Sequence, residues 1–243
     1  MTDLLGDTVP APSPDPPPPS PLSAEKHRQR MRARLLTAGP DSIADHELLE
    51  MVLFLALPRR DTKPIARALL SRFGSFAGSI AAPAPDLRAI EGLGDAGLAA
   101  LKKVQAAALR LVRSEVRDRP VLTHWAALLD YLSAVMARDR VEQFRVLFLD
   151  NKNRLIADEA QSRGTVNHTP VYPREVVKRA LELNASALIL AHNHPSGDPA
   201  PSADDIAMTA EIKAAATALG LVLHDHVIVG NGATLSFRAH GLL

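Results

Sequence analysis

Residues Ser186–Gly220, SALILAHNHPSGDPAPSADDIAMTAEIKAAATALG, decide how this chain is read. The first six, Ser186–Ala191, are an apolar run of strand length. The segment after Ser202 has the pattern of a helix and stops at Gly220. His192 and His194 therefore fall where a buried strand breaks into a loop, and Asp205 falls on the first turn of the next helix. Two imidazoles and a carboxylate can supply three ligands to one metal ion. Catalytic zinc commonly uses three N/O ligands and leaves a fourth position for water. Ser202 and Asp205 taken alone are an ordinary helix start, a hydroxyl cap followed by a first-turn acid. An H-x-H also recurs at His224-Asp225-His226. The conjunction carries the reading: Pro195 and Gly197 make a tight loop and Pro199 and Pro201 stiffen it, so that Asp205 can fold back toward the histidines.

The residues around this stretch alternate strands and helices. Thr123–Met136 reads as a helix, Phe144–Leu149 (FRVLFL) as a strand, Asp150–Asn153 as a turn, and Arg154–Ala157 as the start of a second strand. Pro173 opens a helix running to about Leu183, with proline at a first-turn position. Leu221–Val229, a turn at Asn231-Gly232 and Ala233–Phe237 form a closing hairpin. Residues 120–243 are thus expected to be an α/β (α+β) domain, a mixed-sheet sandwich with flanking helices.

Residues 24–119 read as helical instead. Helices are expected at Glu25–Thr37, Asp45–Leu57, Pro64–Phe73, Asp86–Ile90 (with Asp86 as cap) and Asp95–Arg117. Between the last two lies Ile90-Glu91-Gly92-Leu93-Gly94. Glycines in such a turn let backbone N–H groups approach a phosphate beside the positive end of the next helix, and Lys102 and Lys103 follow. A tight turn serving only packing fits the same letters. Residues 1–23 hold eight of the 19 prolines and are expected to be an extended, disordered tail.

The chain has 243 residues, 47% of them apolar, which is ample for a core. It has no cysteine, which excludes disulfides, thiolate zinc sites and a cysteine nucleophile, and fits a reducing, cytoplasmic setting. No apolar run reaches the roughly 18 residues of a membrane span, and no Lys or Arg precedes Lys26, so neither a membrane segment nor a secretory signal is expected. The net charge of +1 is unevenly spread. Residues 24–120 hold 17 Lys/Arg against 11 Asp/Glu, a balance that suits an anionic partner or simply a solvated helical surface.

Amide hydrolysis at a zinc site also needs a carboxylate to take a proton from water and pass it to the leaving nitrogen. Glu142, Asp150, Glu159 and Glu175 are the candidates, and their spacing does not separate them.

The order Glu142, 49 residues, His192-x-His194, seven residues, Ser202, two residues, Asp205 resembles the JAMM (MPN+) metalloprotease motif at every position. The wider stretches RVLFLDNKNRLI, SRGTVN, VYPREVVKRALELNASALILAHNHPSGDPAPS and HDHVIVGNG resemble the RadC family, historically called DNA repair proteins. RLLTAGPDSIADHELLEMVL and RAIEGLGDAGLAALK echo its N-terminal part, where the glycine turn is similar to a helix-hairpin-helix element. The chain departs from that pattern at Ala56–Lys63 (ALPRRDTK), where a glycine-containing turn would be expected. The resemblance implies a JAB/MPN-like fold and one zinc per chain on His192, His194 and Asp205. It also implies Glu142 as general acid/base and Ser202 as a stabiliser of the oxyanion.

Three functions follow as expectations. The first is a zinc metallopeptidase acting on a peptide or isopeptide amide in a peptide or protein substrate. The second is a DNA-associated repair or recombination accessory protein whose metal domain is structural or inactive, with non-specific DNA binding through the helical part. The third is a metal-dependent nuclease, ranked last because nucleases often use carboxylate-rich two-metal sites. The oligomeric state is not legible in the sequence.

Overall fold

A computed structural model describes residues 21–117, 120–163 and 171–243. The proline-rich stretch 1–20 and most of the SRGTVN motif lie outside the described residues. The chain divides into two compact units, one running to Ser79 and including Ala84–Ala100, the other comprising Ile80–Pro83 and Leu101–Leu243.

The first unit is helical. Helix α1 spans Pro21–Ala38, α2 Asp45–Ala56, α3 Lys63–Phe73, α4 Phe76–Ala81 and α5 Ala84–Arg88, and α6 (Gly94–Arg117) begins in this unit and ends in the other. α1 starts earlier than expected: Pro21 is tolerated because a first-turn residue needs no backbone N–H. Leu49 and Leu53 of α2, Ile65 and Leu69 of α3, Leu87 and Leu93 form the buried centre, each such side chain stabilising by about 1.5–3 kcal/mol. Asp86 lies inside the first turn of α5 and does not cap it. Gly92 and Gly94 do adopt positive φ, and the Gly92 carbonyl accepts from Arg60 Nη1 at 3.0 Å.

Several cations of this half spend their donors internally. Arg28 bonds the carbonyls of Pro58 and Arg60, which closes the glycine-free turn after α2. Arg34 pairs with Glu47, and the Arg32 guanidinium lies over the Phe54 ring. Lys102, within the second unit, donates to the carbonyls of Ile80 and Ala82 and to Gln105. Lys102 is therefore a structural cap, unlike the exposed Lys103.

The second unit is a five-stranded mixed sheet. A 3₁₀ turn at Val121–His124 leads into α7 (Trp125–Met136), followed by β1 (Gln143–Leu149), β2 (Leu155–Arg163), α8 (Pro173–Glu182), β3 (Ala187–Asn193), α9 (Ala203–Ala218), β4 (Val222–Val229) and β5 (Thr234–Ser236). The strand order is β2-β1-β3-β4-β5, with β3 and β4 parallel and every other pair antiparallel.

Alternation decides which face each residue serves. Leu147, Leu149, Ile189, Ala191, Val227 and Val229 pack with Leu128, Leu132 and Met136 of α7. The intervening Phe144, Val146, Phe148, Leu188 and Leu190 pack with Val176, Val177 and Ala180 of α8 and Ile212 and Ala216 of α9. The same period places His192 and His226 on the α8/α9 face. No helix among the described residues is long and apolar enough to cross a membrane.

Candidate metal centre

β3 runs through Asn193, two residues further than the apolar run suggested, so His192 belongs to the strand and is fully buried. His194 follows immediately, and its N–H bonds the Val229 carbonyl at 3.0 Å. The loop then turns back on the end of β4: Gly197 N–H bonds His194 O at 2.9 Å, and Asn231 N–H bonds Gly197 O at 3.1 Å. Gly197 has φ of +88°, and a Cβ on Gly230 would stand 2.3 Å from Gly197 O. The backbone approach at Gly230 leaves no room for a side chain, and the positive φ at Gly197 favours glycine.

Asp205 enters from α9. Ser202 is the N-cap, its Oγ accepting from Asp205 N–H at 3.1 Å, while Asp205 Oδ2 accepts from Ser202 N–H at 2.8 Å and from its hydroxyl at 2.6 Å. The capping box and the ligand set are thus one device, because the cap fixes the carboxylate's rotamer. Asp205 Oδ1 lies 3.2 Å from His192 Nε2, Asp205 Oδ2 lies 3.5 Å from His194 Nε2, and the two Nε2 atoms are 2.9 Å apart. Ligands held about 2.0–2.1 Å from a tetrahedral zinc are about 3.3 Å from each other. The His192–His194 and His192–Asp205 Oδ1 separations are near that edge, while His194 stands nearer the other carboxylate oxygen, Oδ2. The three groups could together hold a metal ion, and their nitrogen and oxygen donors are of the kind zinc accepts.

Hydrogen bonds behind the candidate ligands orient them. His194 Nδ1 faces the Asp198 carbonyl at 2.8 Å, so it carries the proton and leaves Nε2 with its lone pair. His192 Nδ1 faces His226 Nε2 at 2.8 Å, His226 Nδ1 faces Thr209 Oγ1 at 2.6 Å, and the Thr209 hydroxyl donates to the Asp205 carbonyl at 2.5 Å. One direction of donation satisfies the whole chain, from His192 to His226 to Thr209 to Asp205 O. It requires a neutral His226. Complete burial pushes that imidazole well below the ordinary histidine range, and the adjoining His192 adds to the effect. Phe144 stacks on His192 at 6.1 Å between centroids, and Phe237 covers His226 at 4.6 Å. Burial works against ionisation of Asp205, whereas the Ser202 hydroxyl and N–H favour it.

Residues 122–242 match the RadC-like JAB domain. A UPF0758 protein of Rhodobacter capsulatus is 64% identical over 210 residues, covering 86% of this chain and 98% of that relative. Another UPF0758 protein, from Ruegeria pomeroyi, is 57% identical over 210 residues, covering 86% of this chain and 94% of its own. This chain belongs to the RadC family.

In this RadC-family protein the four candidate carboxylates stand in different places. Asp150 is tied to its own turn, accepting from Lys152 N–H, Arg154 N–H and Arg154 Nε. It also lies past Leu149, at the end of β1 that pairs with Ala187, away from His192. Glu159 is held by Arg179 at 2.6 and 2.9 Å, and Glu175 lies exposed beside Arg174. Glu142 is half-buried directly before β1. Phe144 pairs with His192, so continuing the antiparallel register by two residues sets Glu142 level with His194. Asn193 pins this segment: its Oδ1 accepts from Gln143 N–H at 2.9 Å, and its Nδ2 donates to the carbonyls of Asp139 and Val141 at 3.3 and 3.2 Å.

Among the described residues the second H-x-H belongs to no group that could hold a metal ion. His226 faces His192, while His224 bonds Asn153 Oδ1 at 2.7 Å. The sequence reading missed Thr209. Its position four residues after Asp205 places it one helical turn along the same face, which is the one signal that could have found it.

Proposed function

We propose that this RadC-family protein is a zinc-dependent hydrolase of the JAMM type, cleaving a peptide or isopeptide amide. The convergence of His192 Nε2, His194 Nε2 and the Asp205 carboxylate, all within 4.8 Å of one another, carries the reading. Two imidazoles and one carboxylate are a donor set for zinc, whereas magnesium and calcium prefer all-oxygen ligands. A zinc ion held there supplies Lewis acidity and lowers the pKa of a coordinated water to about 7.

The chain's own groups account for the remaining steps. Glu142 takes a proton from the attacking water and returns it to the leaving nitrogen, so that amide and water become a carboxylate and an amine. Ser202 can turn its hydroxyl from Asp205 Oδ2 toward the substrate's carbonyl oxygen and donate to the developing oxyanion. His226 and Thr209 keep the His192 tautomer fixed throughout. Asn193 holds the Glu142 segment against the strand that bears both histidines.

Two measurements on purified protein test this: elemental analysis, and a screen of peptide and isopeptide substrates in the zinc-loaded form. Zinc at one per chain together with amide cleavage abolished by chelation is the expected result. A protein that binds no zinc overturns the reading. Zinc binding with no cleavage across the panel rejects the hydrolase and returns the site to a structural role.

A further inference from the structure

On the α7 face of β4 lies a second concave site, a cavity of about 420 Å³ lined by Leu122, Trp125, His224, Asp225, Ser236 and Arg238. All of them belong to the sheet unit. Its volume is within the range of small-molecule sites. We propose that this cavity binds a small aromatic carboxylate, its ring against Trp125 and Leu122 and its carboxylate on Arg238.

Charge and hydrogen bonding specify that occupant. Asp225 is buried, and its oxygens already accept from His226 N–H at 2.8 Å, Arg238 N–H at 2.9 Å and the Ser236 hydroxyl. Its carboxylate oxygens are therefore engaged inside the protein by three neutral donors. Arg238 donates through Nε to the His224 carbonyl at 2.5 Å, which aims the guanidinium, and among the described residues it pairs with no acid. Its terminal nitrogens offer the parallel donors that suit a carboxylate. His224 gives its Nε2 to Asn153, and with a proton there its Nδ1 is left as an acceptor. Burial, and then the charge of Arg238, depress its pKa, so it does not add a second cation. Trp125 is half-buried against the α7 core, and Leu122 is 40% exposed, an apolar wall beside one unpaired positive charge.

Trp125 is the chain's only tryptophan, so its fluorescence reports occupancy directly. The full chain is titrated with 3-phenylpropionate and, separately, with its uncharged amide. A saturable change with Kd of about 0.1–1 mM is expected for the acid, with at least about tenfold weaker binding of the amide. Arg238→Gln should bring the acid to the amide's level while the circular dichroism spectrum is unchanged. If that variant fails to fold, the acid-to-amide ratio on the wild type decides alone. A short peptide ending in phenylalanine, with a free carboxylate, separates the two sources of this chemistry. Its binding assigns a chain terminus, and its failure beside binding of the free acid assigns a metabolite. No saturable change with the acid, equal affinity for acid and amide, or full affinity in a folded Arg238→Gln overturns the proposal.

Discussion

His226 Nε2 lies 2.8 Å from His192 Nδ1, two neighbouring strands placing one imidazole directly behind another. The pair is why the second H-x-H of the sequence matters without binding metal itself. His226 can accept from His192 only while neutral, and complete burial keeps it so. With Nδ1 engaged in this way, Nε2 is the His192 nitrogen that faces the metal position. Ligand orientation thus rests on a residue 34 positions further along the chain.

Removing one ligand should remove the metal. Purified wild type is expected to carry about one zinc per chain, and His194→Ala far less, because two ligands hold zinc poorly. Elemental analysis after dialysis reads the difference. Equal zinc in both proteins would show that His194 is not a ligand.

Thr209→Val keeps the side chain's shape and removes the hydroxyl, leaving the His226 Nδ1 proton without its acceptor. Loss of such an outer partner typically weakens metal binding about 10–100-fold, and an unsatisfied buried donor costs about 1–3 kcal/mol. Competition with a chromogenic chelator and chemical denaturation measure the two effects. Unchanged zinc affinity would reduce Thr209 to packing.

The histidine pair also sets a pH dependence. The folded-state pKa of His226 lies below the ordinary 6.5. The unfolded chain therefore takes up the proton first as pH falls. Stability from this group is complete above about pH 6.5, and the metal-free protein loses about 1.4 kcal/mol for each pH unit between 6.5 and the depressed folded value. His226→Phe removes the titrating group and should flatten that slope between pH 7 and 5. Parallel slopes for the two proteins in denaturant titrations would contradict the assignment.

What the sequence disclosed follows from which interactions are local. β1, β3, α8 and α9 were legible because alternation, a first-turn proline and an N-cap are written in consecutive residues. The same holds for His192, His194 and Asp205, which the strand–loop–helix context brings together. Contacts made across the fold left no such trace. Lys102 read only as a cation following the glycine turn, because its acceptors, the Ile80 and Ala82 carbonyls, are about twenty residues away. The four candidate carboxylates could not be ranked until Arg179 was seen to hold Glu159 and Asp150 to close its own turn. α4, Phe76–Ala81, was missed because six residues around a glycine carry too little periodicity.

Gly230→Ala should loosen the His194 loop. The added methyl would meet Gly197 O at 2.3 Å, so one of the two segments must move, at a cost of about 1–3 kcal/mol. His194 is bonded into the same loop, so zinc affinity should fall as well. Gly232→Ala is the matched control. Its φ of +85° makes the substitution strained by about 1–2 kcal/mol, but nothing lies within 4 Å of the new methyl. Both variants are expected to lose stability, and only Gly230→Ala to lose metal.

Glu142→Gln separates binding from chemistry. The amide keeps the side chain's size and leaves His192, His194 and Asp205 untouched, so the variant should hold zinc as the wild type does. It cannot accept a proton. A positioned acid/base group typically contributes about 10²–10⁴-fold in rate, so hydrolysis of any amide the wild type cleaves should fall by that order with KM little altered. The prediction stands on the register that sets Glu142 level with His194 and on the Asn193 bonds that pin its segment. Glu159→Gln serves as the control, since its partner is Arg179, and it should keep its turnover. Undiminished turnover in Glu142→Gln would reject the role outright. Loss of zinc along with activity would mean instead that Glu142 supports the metal, and the proton carrier would have to be sought elsewhere.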